Sequence, residues 1–337
     1  MSFSLIAAVA LASGPASCGD VGPLVRALWL VQRYGTAEAV DTANDQQVKG
    51  VIFKALGKEG ELTLLEVRGF MEPETFNKLA GSDSRIGPEE IKHAVEAAVP
   101  ESRVRLLPKV RVHADSLTTS FDMIGEMHRL AGRKLVEWIA KNYRPGTPLD
   151  VVVVCTGNSR RSILGATMGN VAAAYYGMPE IRFHSGGTAP TAFNSRTVKT
   201  LQEIGVEVEL TAKEAVRGEP QTSNPVYRLR WGSPGDTGGP MMEATEFSKH
   251  YDDPANPQSG FAALMVCGEA DAGCPLVKGS ALRVSMPYLD PKIYDDGSLE
   301  SAKYAERRDD MGRLMLSAMV QARQRIASVG TPINPSR

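Results

Sequence analysis

A cysteine, a glycine, an asparagine, an arginine and a serine stand close together in the segment Cys155-Thr-Gly-Asn-Ser-Arg-Arg-Ser162. The thiolate is the reactive form of cysteine, and both a nearby guanidinium and a helix N-terminus favour it. Arg161 is suited to hold a tetrahedral oxyanion, because its guanidinium can donate two parallel hydrogen bonds. The segment therefore predicts a nucleophilic cysteine, largely thiolate, at an oxyanion-binding loop.

The elements predicted around this segment also suit anion binding. Four consecutive valines in Asp150-Val-Val-Val-Val-Cys155 are typical of a strand buried on both faces, and Ser162 opens a helical pattern. A strand, a short loop and a helix N-terminus together present backbone N–H groups and a positive dipole end to an anion. We expect the oxyanion-binding loop to consist of Thr156, Gly157, Asn158, Ser159 and Arg160.

Three residues of the segment have specific expected roles. Gly157 is free to adopt a positive φ, and Asn158 tolerates one while offering an amide that can fix the loop. Ser162 can donate its hydroxyl proton to the sulfur of Cys155. The alternative is a buried structural cysteine before a helix, the usual role of an isolated cysteine. The Gly, Asn, Arg and Ser around the thiol favour the reactive interpretation.

The segment resembles the phosphate-binding loop of the low-molecular-weight protein tyrosine phosphatase superfamily, which includes the thiol-coupled arsenate reductases. Two further motifs follow in the family's order. Phe183-His-Ser-Gly-Gly-Thr188, with Asn194 and a helix after it, resembles the second strand and helix, and implies that Ser185 supports the loop. Asp290-Pro291 resembles the general-acid loop. The resemblance covers about residues 148–328.

Two later cysteines, Cys267 and Cys274, close a predicted strand and run into a glycine-containing turn. They are too widely spaced for a thioredoxin-type pair, and no nearby histidine completes a zinc site. A static disulfide or two unrelated thiols is one interpretation. The pair also resembles the resolving cysteines of the thioredoxin-coupled arsenate reductases, which implies that Cys267 attacks the Cys155 adduct and that Cys274 then attacks Cys267.

Asp290 precedes a proline, which restricts the aspartate to an extended conformation. The resemblance implies that this carboxyl protonates the leaving oxygen as a general acid; the alternative is a structural Asx-Pro turn. The tyrosine phosphatases carry aromatic residues directly after this motif. Here Lys292 and Ile293 follow, with Tyr294 one position late, which argues against a phosphotyrosine substrate.

Three functions are consistent with these residues. The favoured one is a thiol-coupled arsenate reductase in which three cysteines relay the electrons to an external dithiol, such as a thioredoxin-like protein, without a bound cofactor or metal. The second is a protein tyrosine phosphatase that hydrolyses a phosphomonoester through a phosphocysteine. The third is a non-catalytic phosphate-binding or redox-sensing module, and the complete Cys, Arg, Ser and Asp set argues against it.

The sequence from 146 to 330 predicts an α/β domain with a doubly wound parallel sheet, similar to the low-molecular-weight phosphatases. Apolar runs alternate with helical patterns; the runs are 150–155, 181–184, 206–210, 261–267 and 282–287, and the helical patterns are 162–176, 194–204 and 298–326. In such sheets ligands bind beyond the carboxyl ends of the strands, where Cys155 is expected. Residues 211–260 lack a regular pattern and predict a lid, a binding surface or a plain insertion. The residues there that are expected to contact a substrate or a partner are Tyr227, Arg228, Arg230, Trp231, Lys249, His250 and Tyr251.

The first part of the chain carries weaker patterns. Residues 1–18 resemble a signal segment, which favours the cell envelope or periplasm over the cytoplasm, although no basic residue precedes the apolar run. Residues 19–145 predict a helical domain of unassigned role, ending at the Pro/Gly-rich turn 144–148. Within it, 55–91 contains a degenerate EF-hand-like repeat that lacks the first carboxylate ligands, so we expect no calcium site.

The overall composition excludes two classes of partner. The chain has 337 residues and a formal net charge of −1, so no basic excess indicates a nucleic-acid partner. No apolar run is long enough to predict a membrane span. The loop at Cys155 and the resemblance imply that the substrate is a small oxyanion or a phosphorylated molecule.

Overall fold

The structure is a computed structural model of the chain, and it describes residues 63, 83–85, 101–118, 120–216, 223–233, 241–274 and 276–328. The signal-like segment 1–18 and nearly all of the repeat at 55–91 lie outside these residues. No helix within the described ranges combines the length and the apolarity needed to cross a bilayer.

The described chain is an α/β fold with six α-helices and seven strands. In chain order the helices are α1 (Pro108–Leu117), α2 (Glu126–Asn142), α3 (Arg161–Tyr175), α4 (Ser195–Glu203), α5 (Gly268–Gly273) and α6 (Glu300–Ser328). The strands are β1 (Leu149–Cys155), β2 (Ile181–Gly187), β3 (Glu207–Glu214), β4 (Pro225–Gly232), β5 (Met242–Glu246), β6 (Phe261–Met265) and β7 (Ser280–Ser285). Short 3-10 helices cover Glu101–Arg105, Phe121–Met123 and Pro291–Tyr294.

Four parallel strands form the central sheet, in the order β2-β1-β6-β7. The chain leaves β1 toward β2 and later returns to β6 on the other side of β1, so the strand order reverses at β1. Strand β1 is buried because Val151 to Val154 are fully inaccessible to solvent, as expected for a central parallel strand. The end of β1 therefore lies at a switch point, where ligands bind in sheets of this kind.

Helix α3 lies unusually close to the sheet because glycines face it. A Cβ added at Gly169 would lie 2.4 Å from the ring of Phe183, and one added at Gly165 would lie 3.0 Å from Val153. The loop that precedes α3 is held against the strand ends as a consequence of this close packing.

We expect Gly169→Ala to lower the free energy of unfolding by about 1–3 kcal/mol, the usual cost of overpacking a core. The added methyl group would overlap the Phe183 ring, which is itself buried. Denaturant titration measures the effect. Gly273→Ala is the control, because an added Cβ there meets no atom within 4 Å, and equal stability of both variants would contradict the account.

The compact unit that contains the sheet begins earlier than the sequence predicted. The chain divides into Met1–Pro100 with Thr119–Met123, and Glu101–Thr118 with Ile124–Arg337. Helices α1 and α2 thus belong with the sheet, and not with a helical domain that ends at residue 145. The physical reason is helix packing: α2 buries Leu135, Val136 and Ile139 and approaches α6 so closely that a Cβ on Gly132 would lie 2.9 Å from Leu314.

The segment 211–260 contains regular structure that its sequence did not indicate. Strands β3, β4 and β5 form a separate antiparallel sheet in that order, so the run at 206–210 does not join the parallel sheet. Arg228 and Arg230 form cross-strand ion pairs with Glu209 and Glu207. These arginines, expected as substrate or partner contacts, are therefore engaged in pairing within the sheet.

Candidate functional site

Cys155 is the last residue of β1, and its neighbours bring other predicted site residues to the same place. It pairs in register with Gly187 of β2, and only 3 % of it is exposed. A Cβ on Gly187 would lie 2.6 Å from the carbonyl oxygen of Thr156 and 2.9 Å from the nitrogen of Asn158. The second glycine of the Ser-Gly-Gly-Thr motif therefore lets the loop pass close to β2.

The loop carbonyls point outward, where other segments donate to them. The carbonyl oxygens of 155, 156, 157 and 159 accept bonds of 2.9–3.2 Å from backbone N–H or hydroxyl groups of Thr188, Ala189, Thr191, Asn194, Thr197 and Ser248. In a trans peptide the next N–H points the opposite way. Within the described part of the chain, the backbone N–H groups of Thr156 through Arg160 have no acceptor. The loop N–H groups are thus available to a ligand, and successive backbone donors of this kind are suited to an oxyanion.

Asn158 gives the loop its sharp turn. Its φ of +40° lies in the left-handed region, which an asparagine tolerates better than most residues. The sequence had offered both Gly157 and Asn158 for this conformation, and the structure uses Asn158. At Gly157 an added Cβ would instead lie 3.2 Å from Thr191 Oγ1, so glycine is needed there for close approach.

A chain of buried hydrogen bonds connects Asn158 to the thiol. Asn158 Nδ2 donates to Ser162 Oγ at 2.8 Å and to Ser185 Oγ at 2.9 Å. Ser162 Oγ lies 3.1 Å from Cys155 Sγ, which fits a hydroxyl that donates to the sulfur. Ser185 lies in the predicted supporting position. All four residues are buried, so these contacts are shielded from competing water.

Arg161 lies at the loop, but its terminal nitrogens already have partners. Its Nη2 donates to Asp290 Oδ2 at 2.7 Å and its Nη1 donates to the Tyr288 carbonyl at 3.0 Å. Its buried Nε has no partner among the described residues. A bidentate grip on an oxyanion through Nε and Nη2 requires the Asp290 carboxylate to give way at Nη2.

Asp290 forms the structural turn that the sequence allowed, and it also lies at the loop. Its Oδ1 accepts from the Lys292 N–H at 3.0 Å, so it caps the 3-10 helix at Pro291–Tyr294, with a proline at the first position. Its other oxygen contacts Arg161, which brings the candidate acid to the loop.

Helix α2 holds the segment that carries Asp290, a contact that the sequence did not indicate. The His128 ring stacks on Tyr288 with centroids 4.1 Å apart, and His128 Nε2 contacts the Pro287 carbonyl at 3.0 Å. Burial lowers the pKa of His128. The sequence missed this residue because α2 had been assigned to another domain.

Arg160 contributes to the loop through its backbone and not its side chain. Its Nε donates to Tyr304 Oη at 2.7 Å and its Nη2 donates to Asp295 at 3.2 Å. Burial raises the pKa of Tyr304 to about 12. The Arg160 side chain therefore anchors the loop to the region before α6.

Cys267 lies beside the loop, on the opposite side from β2. Strand β6 pairs with β1 through Val154 and Met265, and Cys267 follows two residues after this pair. Its Sγ lies 3.4 Å from the Oγ1 of Thr156, the residue that follows Cys155. Thr156 Oγ1 also donates to Glu269 at 3.1 Å. The structure thus brings the first two candidate redox cysteines to adjoining positions.

Cys267 and Cys274 flank α5 as its N-cap and C-cap residues. Both are free, and Cys267 is buried whereas Cys274 is partly exposed. Cys274 Sγ donates to the Leu276 carbonyl at 3.1 Å and also contacts Tyr251, whose pKa is raised by burial and by this cysteine. At about 1.5 Å per helical residue the two cysteines lie roughly 10 Å apart along α5, beyond the Cα separation of a disulfide.

The sequence also missed the residues behind the loop. Glu246 is the last residue of β5, Ser248 and Lys249 follow it, and Lys249 was expected to contact a substrate or a partner. Its side chain is instead 4 % exposed and forms an ion pair with Glu246. Only the three-dimensional return of this segment to β2, through a bridge between Gly187 and His250, brings these residues to the site.

The chain matches no protein-family model, and it matches no curated protein.

Proposed function

We propose that this protein is a cysteine-dependent oxyanion enzyme of the low-molecular-weight phosphatase type, and that it reduces arsenate through a three-cysteine relay. The observation that carries the proposal is the loop from Thr156 to Arg160, whose N–H groups are free of acceptors within the described chain. Cys155 begins this loop and Arg161 ends it. A thiol in an array of donors is positioned for attack on a tetrahedral oxyanion.

The first step forms the covalent adduct. The arsenate oxygens accept hydrogen bonds from the loop N–H groups and from the Arg161 guanidinium. The anion thereby displaces Asp290 from Arg161 Nη2. The Cys155 thiolate attacks arsenic, and one oxygen leaves as water after receiving a proton from the carboxylic acid form of Asp290. Ser162 supports the sulfur through the contact of 3.1 Å.

The second step transfers two electrons to arsenic. Cys267 attacks the sulfur of Cys155, the sulfur–arsenic bond breaks with its electron pair on arsenic, and arsenite leaves. A disulfide then joins Cys155 and Cys267. The contact of Cys267 with Thr156 supports this order, because the residue next to the nucleophile already touches the attacking sulfur.

The third step regenerates the free thiol of Cys155. Cys274 attacks Cys267, which frees Cys155 and leaves a disulfide between Cys267 and Cys274 for an external thioredoxin-like dithiol to reduce. Since the two cysteines flank α5, this helix must unwind for the bond to form. A helix of six residues is short enough to open at small cost, because isolated short helices are marginal in water.

A phosphomonoester hydrolase is the alternative, since Cys155, Arg161 and Asp290 serve it equally well. One assay separates the two functions. The purified protein is supplied with arsenate and a thioredoxin-like dithiol in one reaction, and with an aryl phosphate in another. We expect arsenate-dependent oxidation of the dithiol to be the faster reaction. Rapid aryl phosphate hydrolysis without arsenate-dependent oxidation would replace the reductase with the hydrolase.

We expect Asp290→Asn to lower turnover by about 10²-fold, the usual contribution of a general acid. The amide keeps the helix cap but cannot supply the proton. Oxyanion binding should be kept or strengthened, because the variant removes the carboxylate that occupies Arg161. Steady-state kinetics with phosphate as a competitive inhibitor measures both quantities.

Asp309→Asn is the matched control for this substitution, since Asp309 is an ion-paired aspartate whose partners, His113 and Arg308, lie outside the loop. It should change turnover less than about threefold, as substitutions away from the reacting groups usually do. An Asp290→Asn variant with the turnover of this control would remove Asp290 from the mechanism.

A further inference from the structure

A buried ion pair lies behind the loop, at the inner end of the hydrogen-bond chain. Glu246 Oε2 lies 3.3 Å from Lys249 Nζ, and the two side chains are 5 % and 4 % exposed. Burying two charges has a desolvation cost that their attraction often fails to recover, so such a pair is weak support for stability. Its contacts with the residues around the thiol suggest another role.

The carboxylate of this pair fixes the direction of the first hydrogen bond in the chain, and the amide of Asn158 fixes the direction of the bonds nearer the sulfur. An ionised carboxylate only accepts, so Ser185 must donate its proton to Glu246, at 2.7 Å. The Ser185 oxygen then accepts from Asn158 Nδ2, whose other proton goes to Ser162. Ser162 is left with its own proton to donate to Cys155.

Lys249 fixes the other end of the same amide. Its backbone N–H donates to Asn158 Oδ1 at 2.8 Å. A reversed amide would place an NH₂ group against this N–H and would leave both serines without their donor. The side-chain carboxylate of Glu246 and the backbone of Lys249 therefore hold Asn158 in one orientation.

We propose that the Glu246–Lys249 pair is a positioning element that directs the Ser162 hydroxyl toward the Cys155 sulfur and so maintains the reactivity of the thiol at neutral pH. This inference rests on the proposed role of Cys155 as the nucleophile. Neither residue of the pair touches the substrate; both act through Ser185 and Asn158. The segment after β5 thereby takes part in the chemistry from behind the loop.

Two substitutions of Glu246 separate hydrogen bonding from charge. Glu246→Gln and Glu246→Ala remove the same negative charge beside Lys249, but only glutamine keeps a carbonyl oxygen that can accept from Ser185. The other ionisable groups near the thiol, Arg161, Asp290, Cys267 and Glu269, are the same in both. A difference in thiol reactivity between the two variants therefore measures the effect of losing the acceptor of the Ser185 hydrogen bond, and not the effect of losing the charge.

The measurement is the rate of Cys155 alkylation by iodoacetamide as a function of pH, followed on the Cys155 peptide by mass spectrometry. In Glu246→Ala we expect the rate at neutral pH to fall about three- to tenfold, the range that the loss of one hydrogen bond produces. The half-maximal rate should move to higher pH, while the maximal rate in alkali is kept. Glu246→Gln should stay within about twofold of the parent.

Asp115→Asn is the control for a general loss of stability. Asp115 is a buried carboxylate in the same compact unit, and its partners among the described residues include Arg103 and Tyr175 and none of Cys155, Asn158, Ser162 and Ser185. This variant should lower the denaturation midpoint without changing the alkylation profile. If Glu246→Ala does not fold, Ser185→Ala interrupts the same series of hydrogen bonds one residue closer to the sulfur. It should move the alkylation profile of Cys155 to higher pH in the same way.

Two results would overturn the inference. One is a Glu246→Ala variant whose alkylation rate depends on pH as in the parent. The other is an equal shift in Glu246→Ala and Glu246→Gln, which would mean that only the charge of Glu246 affects the thiol. The readout needs no arsenate and no phosphate ester. Failure of the reductase assay therefore leaves this inference standing, and an unchanged alkylation profile leaves the reductase proposal standing.

Discussion

Cys155→Ser should abolish arsenate reduction and aryl phosphate hydrolysis together, with a loss of at least about 10⁴-fold, as expected when a catalytic nucleophile is removed. Every step of both mechanisms passes through this sulfur. A serine hydroxyl is a far weaker nucleophile without a general base, and the Ser162 hydroxyl that contacts the Cys155 sulfur at 3.1 Å is not a base. Initial rates of dithiol oxidation and of aryl phosphate release measure the loss.

The substituted protein should still bind oxyanions, because the donors of the loop belong to the backbone. Phosphate or arsenate titrated calorimetrically into Cys155→Ser therefore controls for a collapsed site. A variant that binds the anion and keeps a tenth or more of either activity would place the nucleophile elsewhere.

Cys267→Ser and Cys274→Ser should each reduce multiple-turnover arsenate reduction to background with a protein dithiol as donor. The two substitutions stop the relay at different points. Without Cys267, the thiol that contacts Thr156 is lost, and no other described cysteine lies beside the loop to attack the arsenic adduct on Cys155. Without Cys274 the relay stops after the second step, with a disulfide between Cys155 and Cys267 that no third cysteine resolves. Dithiol oxidation coupled to a thioredoxin reductase measures both.

Aryl phosphate hydrolysis is the internal control for these two variants. It uses Cys155, Arg161 and Asp290 but neither of the later cysteines, so any basal hydrolysis should stay within about threefold of the parent, as for residues outside the reacting set. Arsenate reduction at the parental rate in both serine variants would eliminate the relay.

The local arrangement around Cys155 was predictable because each part depends on adjacent residues. Four consecutive valines gave the buried strand, and the short polar loop before a helical pattern gave the donor array. The α/β class and a parallel sheet followed from the alternation of patterns and are confirmed. The proximity of Asp290 and Cys267 to the loop followed from family resemblance, and not from periodicity or spacing.

The parts that could not be predicted depend on contacts between distant segments. Glu246 and Lys249 lie in a polar stretch whose alternation was obscured by glycines and prolines, and only the bridge from His250 to Gly187 brings them to Asn158. Helix α2 was assigned to the wrong unit because a Pro/Gly turn follows it. That turn bends the chain, but the packing of α2 on α6 decides which unit it joins.

The competition between Asp290 and substrate for Arg161 was also outside the reach of the sequence. The residue types indicated an anion-binding arginine, Arg161, and a general acid, Asp290, but no contact between the two. The structure adds that the two side chains bind each other, at 2.7 Å. In the proposed mechanism the guanidinium exchanges Asp290 for the oxyanion, and the freed carboxyl is the group that protonates the leaving oxygen.

The most direct test of the account is a single turnover without an external reductant. Reduced protein is mixed with one equivalent of arsenate, the products are quenched with acid, and arsenite and the disulfide-linked peptides are quantified. The account predicts one arsenite per chain, a protein lighter by two hydrogens and a disulfide between Cys267 and Cys274. Arsenite formed while Cys155, Cys267 and Cys274 all remain free, or no arsenite from a folded protein that binds the anion, would contradict it.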